Sequence, residues 1–313
     1  MEYRTFGRTG MRVSEIGFGA WAIGGMGWGG DVRDEESMAA LEEAWKQGIN
    51  LFDTADAYGN GHSERLLGEF LGGRRQDAVV VTKGGTNFRV PERSKNFSRD
   101  YLMMCLDESL ERLRTDYVDV YLLHVPDSRW QDEAHVLSTL AEMKATGKAR
   151  AVGLAMWGAT DTLHALASDA GRVLDVIECP FNILNKSNPE VIRIAAERDI
   201  AVMTSEPLQS GILTGKYQSG TVFEDGDHRR GFWSAQRWAE IQPSLNEIEA
   251  CAKENGMTMA ELSLAYILSW PGVHCVIPGA KTPSQVRRNA AAAGMRISAQ
   301  DVQRLFATKG FVY

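Results

Sequence analysis

The chain is predicted to fold as a (β/α)8 TIM barrel with an N-terminal β-hairpin and a long loop after the seventh strand. Three observations lead there. Eight short apolar runs alternate with amphipathic stretches along 313 residues, the rhythm of a parallel α/β sheet. No shift of composition divides them, so residues 1–313 are expected to form a single domain. Polar residues gather where several runs end, as they do on the C-terminal rim of a barrel.

The elements follow in order. Residues 1–14 carry two extended runs around the turn GRTG and read as a hairpin. Apolar runs then fall at Ile16–Phe18, Ile49–Phe52, Val79–Val81, Val118–Leu123, Ala151–Leu154, Val176–Ile177, Ala201–Met203 and Val273–Ile277. Helical periodicity marks Glu35–Lys46, Ser63–Leu71, Arg99–Leu113, Glu133–Thr146, Thr160–Ala170, Pro189–Glu197 and Met257–Ser269. Ser63-Glu64 and Ser98-Arg99-Asp100 supply helix-start chemistry, and Gly48 and Gly147 stand where helices should stop. No GxGxxG follows the first strand, which argues against an open dinucleotide-binding sheet. GGMGWGG at residues 24–30 lacks that spacing and reads as a flexible loop. After Met203 roughly forty residues pass before the next clear helix, and connections this long usually serve function.

Composition narrows the function. A chain with 44% hydrophobic residues has ample core, and α/β barrels exceed the usual length of one domain. A net charge of −7 without a basic block argues against nucleic acid as a partner. The start MEYRTFGRTG has no apolar signal core, and no stretch approaches 18 apolar residues. A cytoplasmic protein with no membrane partner is expected. The four cysteines form no CxxC pair and the histidines no HxxxH or HExxH spacing, so no metal is expected. Cys105 and Cys251 sit inside helical patterns and read as core.

The chemistry centres on LFDTADAYG, residues 51–59. Asp53 and Tyr58 follow strand two, Lys83 ends VVVTKGG after strand three, and His124 ends YLLHVPD after strand four. A barrel brings these strand ends to one face. An unperturbed tyrosine, with a pKa near 10, is a poor acid at neutral pH. A buried lysine beside it should lower that value, while a carboxylate keeps the lysine charged and a histidine aligns a carbonyl oxygen. Each residue alone is more often structural; four at successive strand ends point to a tuned general acid.

These motifs, with FGRTGMRVSEIGFGAWAIGG near the start and VIPGAKTPSQVRRNAAAAG near the end, resemble the aldo-keto reductases along nearly the whole chain. The resemblance implies a barrel that binds NAD(P)H without a Rossmann domain and a catalytic tetrad of Asp53, Tyr58, Lys83 and His124. It implies hydride transfer to a carbonyl carbon with protonation of the oxygen by Tyr58. Trp21 matches a position that often lines the substrate pocket.

The nicotinamide end departs from the family. Ala155 and Met156 stand where serine and asparagine usually hold the carboxamide, Glu178 where glutamine is usual, and Ser205 where a tyrosine stacks on the ring. Glu206 follows, and then the family pattern resumes. Pro207, Leu208, Gly211 and Leu213 match the loop over the pyrophosphate; Gly279, Lys281, Gln285 and Asn289 match the adenosine end. Lys281 is placed to meet the 2′-phosphate of NADP. Arg288 replaces a glutamate that commonly meets adenine. Losing two or three contacts of about 0.5–1.5 kcal/mol each weakens ring positioning more than overall affinity.

The favoured reading is an NADPH-dependent carbonyl reductase, or alcohol dehydrogenase in reverse, with an unusual nicotinamide pocket and a small carbonyl or alcohol substrate. The alternative is a redox-neutral dehydratase, elimination or epimerase enzyme using Tyr58 and Lys83 for proton transfer. A non-catalytic regulatory subunit is a third class, against which the complete tetrad argues. Trp21, Trp28, Trp157, Phe232 and Trp233 are expected to wall the substrate site, and the tail after Thr308 to add little.

Overall fold

The computed structural model describes residues 1–28, 32–90, 94–126, 134–168 and 170–310. Gly29 and Gly30 of the glycine-rich stretch, Glu133 at the expected start of the fourth helix and the last three residues of the tail lie outside that set. Strands β1 (Tyr3–Thr5) and β2 (Arg12–Ser14) form the antiparallel hairpin. Eight parallel strands follow: β3 (Phe18–Gly19), β4 (Leu51–Asp53), β5 (Val79–Gly84), β6 (Val118–His124), β7 (Ala149–Ala155), β8 (Val176–Pro180), β9 (Ala201–Ser205) and β10 (Cys275–Val276). Neighbours in sequence pair throughout. The bridges Ile16 to Val276 and Gly19 to Gly279 join the last strand to the first and close the barrel.

The period of two sorts each strand into two cores. Leu51, Val79, Val81, Val120, Leu122, Ala151, Val176, Ala201 and Met203 face the barrel interior, where Phe6 and Val13 from the hairpin join them. Phe52, Val80, Tyr121, Leu123, Val152, Ile177 and Val202 point outward beneath the helices. Asp53, Lys83, His124, Ala155, Glu178 and Ser205 share the inward phase, one or two steps beyond an interior apolar residue. The alternation therefore delivers the polar groups to the barrel mouth.

The covering helices are α1 (Asp34–Lys46), α2 (His62–Phe70), α3 (Arg99–Leu113), α4 (Ala134–Ala145), α5 (Ala159–Ala167), α6 (Ala170–Val173), α7 (Pro189–Glu197), α8 (Ala235–Glu254), α9 (Met259–Leu268), α10 (Pro283–Ala291) and α11 (Ala299–Ala307). Gly48 and Gly147, just past α1 and α4, take positive φ of 80° and 76°, as helix stops do. Ser63 is not a cap: its hydroxyl donates to Ala20 O and pairs with Thr54 inside the fold. The stretch expected as Thr160–Ala170 is two helices, α5 and α6. Among the described residues no helix is long and apolar enough to cross a membrane.

The long connection is shorter than expected, because α8 fills its second half. Pro243 inside that helix removes one backbone donor and masks the helical signal. The start is strongly fixed. Ser234 caps it by accepting from Arg237 N, and Trp233 packs on Trp238 with ring centroids 5.5 Å apart. These residues occupy the two positions of a hydrophobic staple.

Glu15 ties the hairpin to the barrel's far end. Its buried carboxylate accepts from Arg4 at 2.9 Å and from Arg296 at 2.6 Å, as well as from Gly294 N. Arg4 also donates to the carbonyls of Val273 and Leu268. Burial alone would raise the Glu15 carboxyl, but these donors hold it below its ordinary value. Glu15→Ala leaves two cations without their partner. The variant should lose about 3–5 kcal/mol of stability, read as an earlier midpoint in urea unfolding; an unchanged midpoint would show the network to be dispensable.

Candidate active site

The inward strand ends surround a cavity of about 620 Å³, within the range of about 300–1,000 Å³ for ligand sites. Beneath its floor, behind Asp53, Tyr58 and Glu178, Lys83 is fully buried. Its ammonium donates to Asp53 Oδ1 and to Thr54 O at 3.1 Å, and stands 3.4 Å from Tyr58 Oη. Glu178 Oε2 lies 3.2 Å from the same nitrogen. That contact is an ion pair without hydrogen-bond alignment, so Oε2 has no hydrogen-bond partner. The His124 ring meets Tyr58 edge to face, with centroids 5.8 Å apart.

Local backbone explains how Tyr58 reaches this point. Thr54 N donates to Val81 O and Asp56 N to Lys83 O, so the segment after β4 continues along β5. Gly59 then turns with φ of 61°, and a Cβ there would sit 2.1 Å from Gly24 O. Only glycine permits that approach. Beside His124, Val125 holds φ of 49°, a strained state for a β-branched residue.

Electrostatics follow from burial. For Lys83, burial alone would lower the pKa, but Asp53 and Glu178 hold it well above its ordinary value. Burial raises Glu178 to about 8, with repulsion from Asp53 adding to the shift. Asp53 is also raised by burial, against the pull of Lys83. Burial pushes Tyr58 upward and outweighs the lowering by Lys83. The net direction is opposite to the sequence expectation. The resting phenol is thus neutral and holds its proton, with a cation beside the oxygen to stabilise the phenolate left by donation.

Most of the other sequence candidates reach the same cavity. Trp21, Trp28, Trp157, Ala155, Met156, Ser205, Pro207, Leu208, Gly211, Gly279, Lys281, Gln285, Arg288 and Asn289 line it with Glu178. Leu213 does not; it is buried in the core outside the barrel. Phe232 and Trp233 also lie away from the lining. They pack on each other and, through the staple, on α8, because the segment after residue 231 turns to start that helix.

Several lining residues escaped the sequence reading. Lys216 and Tyr217 lie in the long connection, where no periodicity marks which side chains face inward, and Thr258 caps the start of α9. Arg229 is held by Asp227 and by Tyr217 Oη at 2.8 Å, with its guanidinium 5.1 Å from the Trp28 ring centre. His228 Nδ1 contacts Gly27 O at 2.6 Å, and its ring packs on Trp21 and Trp28. Asp227 bridges Trp28 in an antiparallel step. The long connection therefore straps across the mouth to the loop after β3. Asn182 anchors its root, donating to Glu206 O at 2.8 Å and Gln209 Oε1 at 2.7 Å.

The family model described as "Aldo/keto reductase family" matches residues 15–308. The chain belongs to that family. It is 31% identical over 309 residues to aldo-keto reductase YhdN of Bacillus subtilis, covering 96% of this chain and 91% of the relative. It is also 31% identical to a probable voltage-gated potassium channel subunit beta of Oryza sativa, covering 92% and 90%. The structure of aldo-keto reductase AKR11C1 from Bacillus halodurans, in its holo form, superposes with a TM-score of 0.82. That match has 25% identity and covers 100% and 98% of the two chains. The protein is an NAD(P)H-dependent oxidoreductase of the aldo-keto reductase type. Its donor set suits such a cofactor: Lys216, Lys281, Arg288 and Arg229 bring positive charge to the cavity lining, and Glu178, ion-paired with Lys83, lines it as well. Among the described residues no group of His, Cys, Asp and Glu could hold a metal.

Lys83→Met tests the cluster. Two buried carboxyls would lose their cation, which costs about 3–5 kcal/mol. A lowered melting temperature together with loss of turnover is expected; full stability would mean that the charges are paired elsewhere.

Proposed function

We propose that the protein is an NADPH-dependent carbonyl reductase, or alcohol dehydrogenase in reverse, acting on a small carbonyl or alcohol compound with Tyr58 as general acid. The observation that carries this reading is the convergence of Asp53, Lys83, Tyr58 and His124 on one cavity floor. When bound, the nicotinamide cofactor supplies or accepts the hydride. Tyr58 donates its proton to the carbonyl oxygen, and Lys83 stabilises the phenolate that remains. Asp53 holds Lys83 charged and fixed. His124, packed on the Tyr58 ring, aligns the same oxygen.

Ala155, Met156 and Ser205 give the nicotinamide end a smoother wall than the family pattern. Pro207, Leu208 and Gly211 belong to the loop over the pyrophosphate, and Gly279, Gln285, Arg288 and Asn289 to the adenosine end. Lys281, half-buried and 5.5 Å from the Trp28 ring centre, is the partner for the 2′-phosphate. Trp21, Trp28 and Trp157 offer an aromatic surface to the substrate, and the half-exposed Trp157 stands at its mouth.

A redox-neutral proton-transfer enzyme is the second reading, favoured by the ion pair of Glu178 with Lys83 where a neutral amide is usual. Conversion of a carbonyl or alcohol compound with no nucleotide present, or failure to bind either nucleotide, would decide for it.

Calorimetric titration should give micromolar binding of NADPH and weaker binding of NADH. Lys281→Ala should remove a preference of tenfold or more, the equivalent of about 1.5–3 kcal/mol for a charged contact. An unchanged preference would move the phosphate partner to Lys216 or Arg288. In a carbonyl screen followed by loss of NADPH absorbance, Tyr58→Phe should lower turnover by about 10²–10⁴-fold while nucleotide affinity stays the same. Retained turnover would remove Tyr58 from the acid role.

A further inference from the structure

Glu178 has no part in the reaction just described, yet it sits at its centre. The residue is 6% exposed and lines the cavity, and its buried Oε2 touches Lys83 without a hydrogen-bond partner. Steps of 3.4 Å and 3.2 Å, both through Lys83 Nζ, connect Tyr58 Oη to this oxygen. A carbonyl oxygen accepting from Tyr58 lies about 3 Å from Oη, and the hydride donor lies about 3–3.5 Å from the carbonyl carbon. A reacting ring held in the volume between Tyr58 and the strand ends would have the titratable carboxyl of Glu178 as a close neighbour.

We propose that Glu178 links a proton to the charge of the nicotinamide ring: its neutral acid accompanies the reduced, uncharged ring and its carboxylate the oxidised, cationic ring. The inference rests on the oxidoreductase reading above. Groups facing Glu178 favour a single shared negative charge. Asp53 on β4 shares the Lys83 ammonium with it and repels it, and Tyr58 adds no charge while protonated. Lys83 on β5 offers one positive charge to both carboxyls. Ala155 on β7 and Met203 on β9 stand opposite it in register and do not titrate. Cys179, the next residue, is raised by burial to about 12 and stays a thiol.

The sign follows directly. Below pH about 8 the free site holds Glu178 as the acid. A cationic ring beside it favours the carboxylate, so binding of NADP+ releases the Glu178 proton to solvent. The dissociation constant for NADP+ then falls as pH rises, by up to about tenfold per unit, the limit for one linked proton. NADPH carries no ring charge and calls for no such release.

The test is calorimetric titration of the full chain with NADP+ and NADPH from about pH 6 to pH 9, in two buffers of different ionisation enthalpy, which counts protons directly. The wild-type protein should release up to one more proton with NADP+ than with NADPH, and its ratio of dissociation constants should change with pH. In Glu178→Gln the difference in proton count should vanish and the ratio become flat. Equal proton counts for the two nucleotides in the wild-type protein, or the same profile in Glu178→Gln, would overturn the linkage and leave the oxidoreductase reading standing. Failure of the wild-type protein to bind either nucleotide would overturn both.

Discussion

One buried ammonium organises the site. Lys83 has no exposure, and an isolated cation in that position would neutralise. It stays charged because Asp53, Glu178 and the Thr54 carbonyl surround it. These partners come from β4, β8 and the segment after β4, and only a closed sheet lets them meet. At about 4.8 Å per strand, β5 and β8 would stand about 14 Å apart in a flat sheet; their side chains here are 3.2 Å apart. The bridges that join β10 to β3 are thus part of the electrostatics of the site.

The same closure sets the division of labour along each strand. Inward residues near the strand starts are apolar and fill the interior together with Phe6 and Val13. Inward residues at the ends, polar except for Ala155, meet at the cavity, with Lys83 buried beneath its lining. Above them the strap from the long connection links Asp227 and His228 to Trp28 and Gly27. Its root is strained, with positive φ at Glu206, Gln209 and Ser210. Asn182 compensates by bonding two of these residues, while its own side-chain oxygen accepts from Leu184 N and Asn185 N.

What the sequence made legible follows from which signals are local. The period of two, the stop glycines and the polar strand ends are each contained in a few residues, so the barrel and the meeting of Asp53, Tyr58, Lys83 and His124 could be read from them. Helix α8 was hidden by Pro243, although Trp233, Ser234 and Trp238 spell out a staple and cap. Trp233 was read with Phe232 as substrate wall because aromatic residues on a loop give no sign of which way the chain turns next. The phenol shift went astray for another reason. Pairing with Lys83 is visible as residue types, whereas the depth of burial that outweighs it is a property of the closed fold.

Glu178 was legible as a departure from the family pattern but not as a partner of Lys83, since two strands, β6 and β7, stand between theirs. Its presence changes the charge balance of the cavity floor. One ammonium with Asp53 alone makes a neutral pair. A second carboxyl must either carry a proton or leave the floor negative, and both states lie within reach of ordinary pH. Such a cluster adds little stability that apolar side chains of the same volume would not give. Its physical consequence is a site whose charge can follow that of its ligand, a property that neither a single carboxylate nor a neutral amide in the same place would provide.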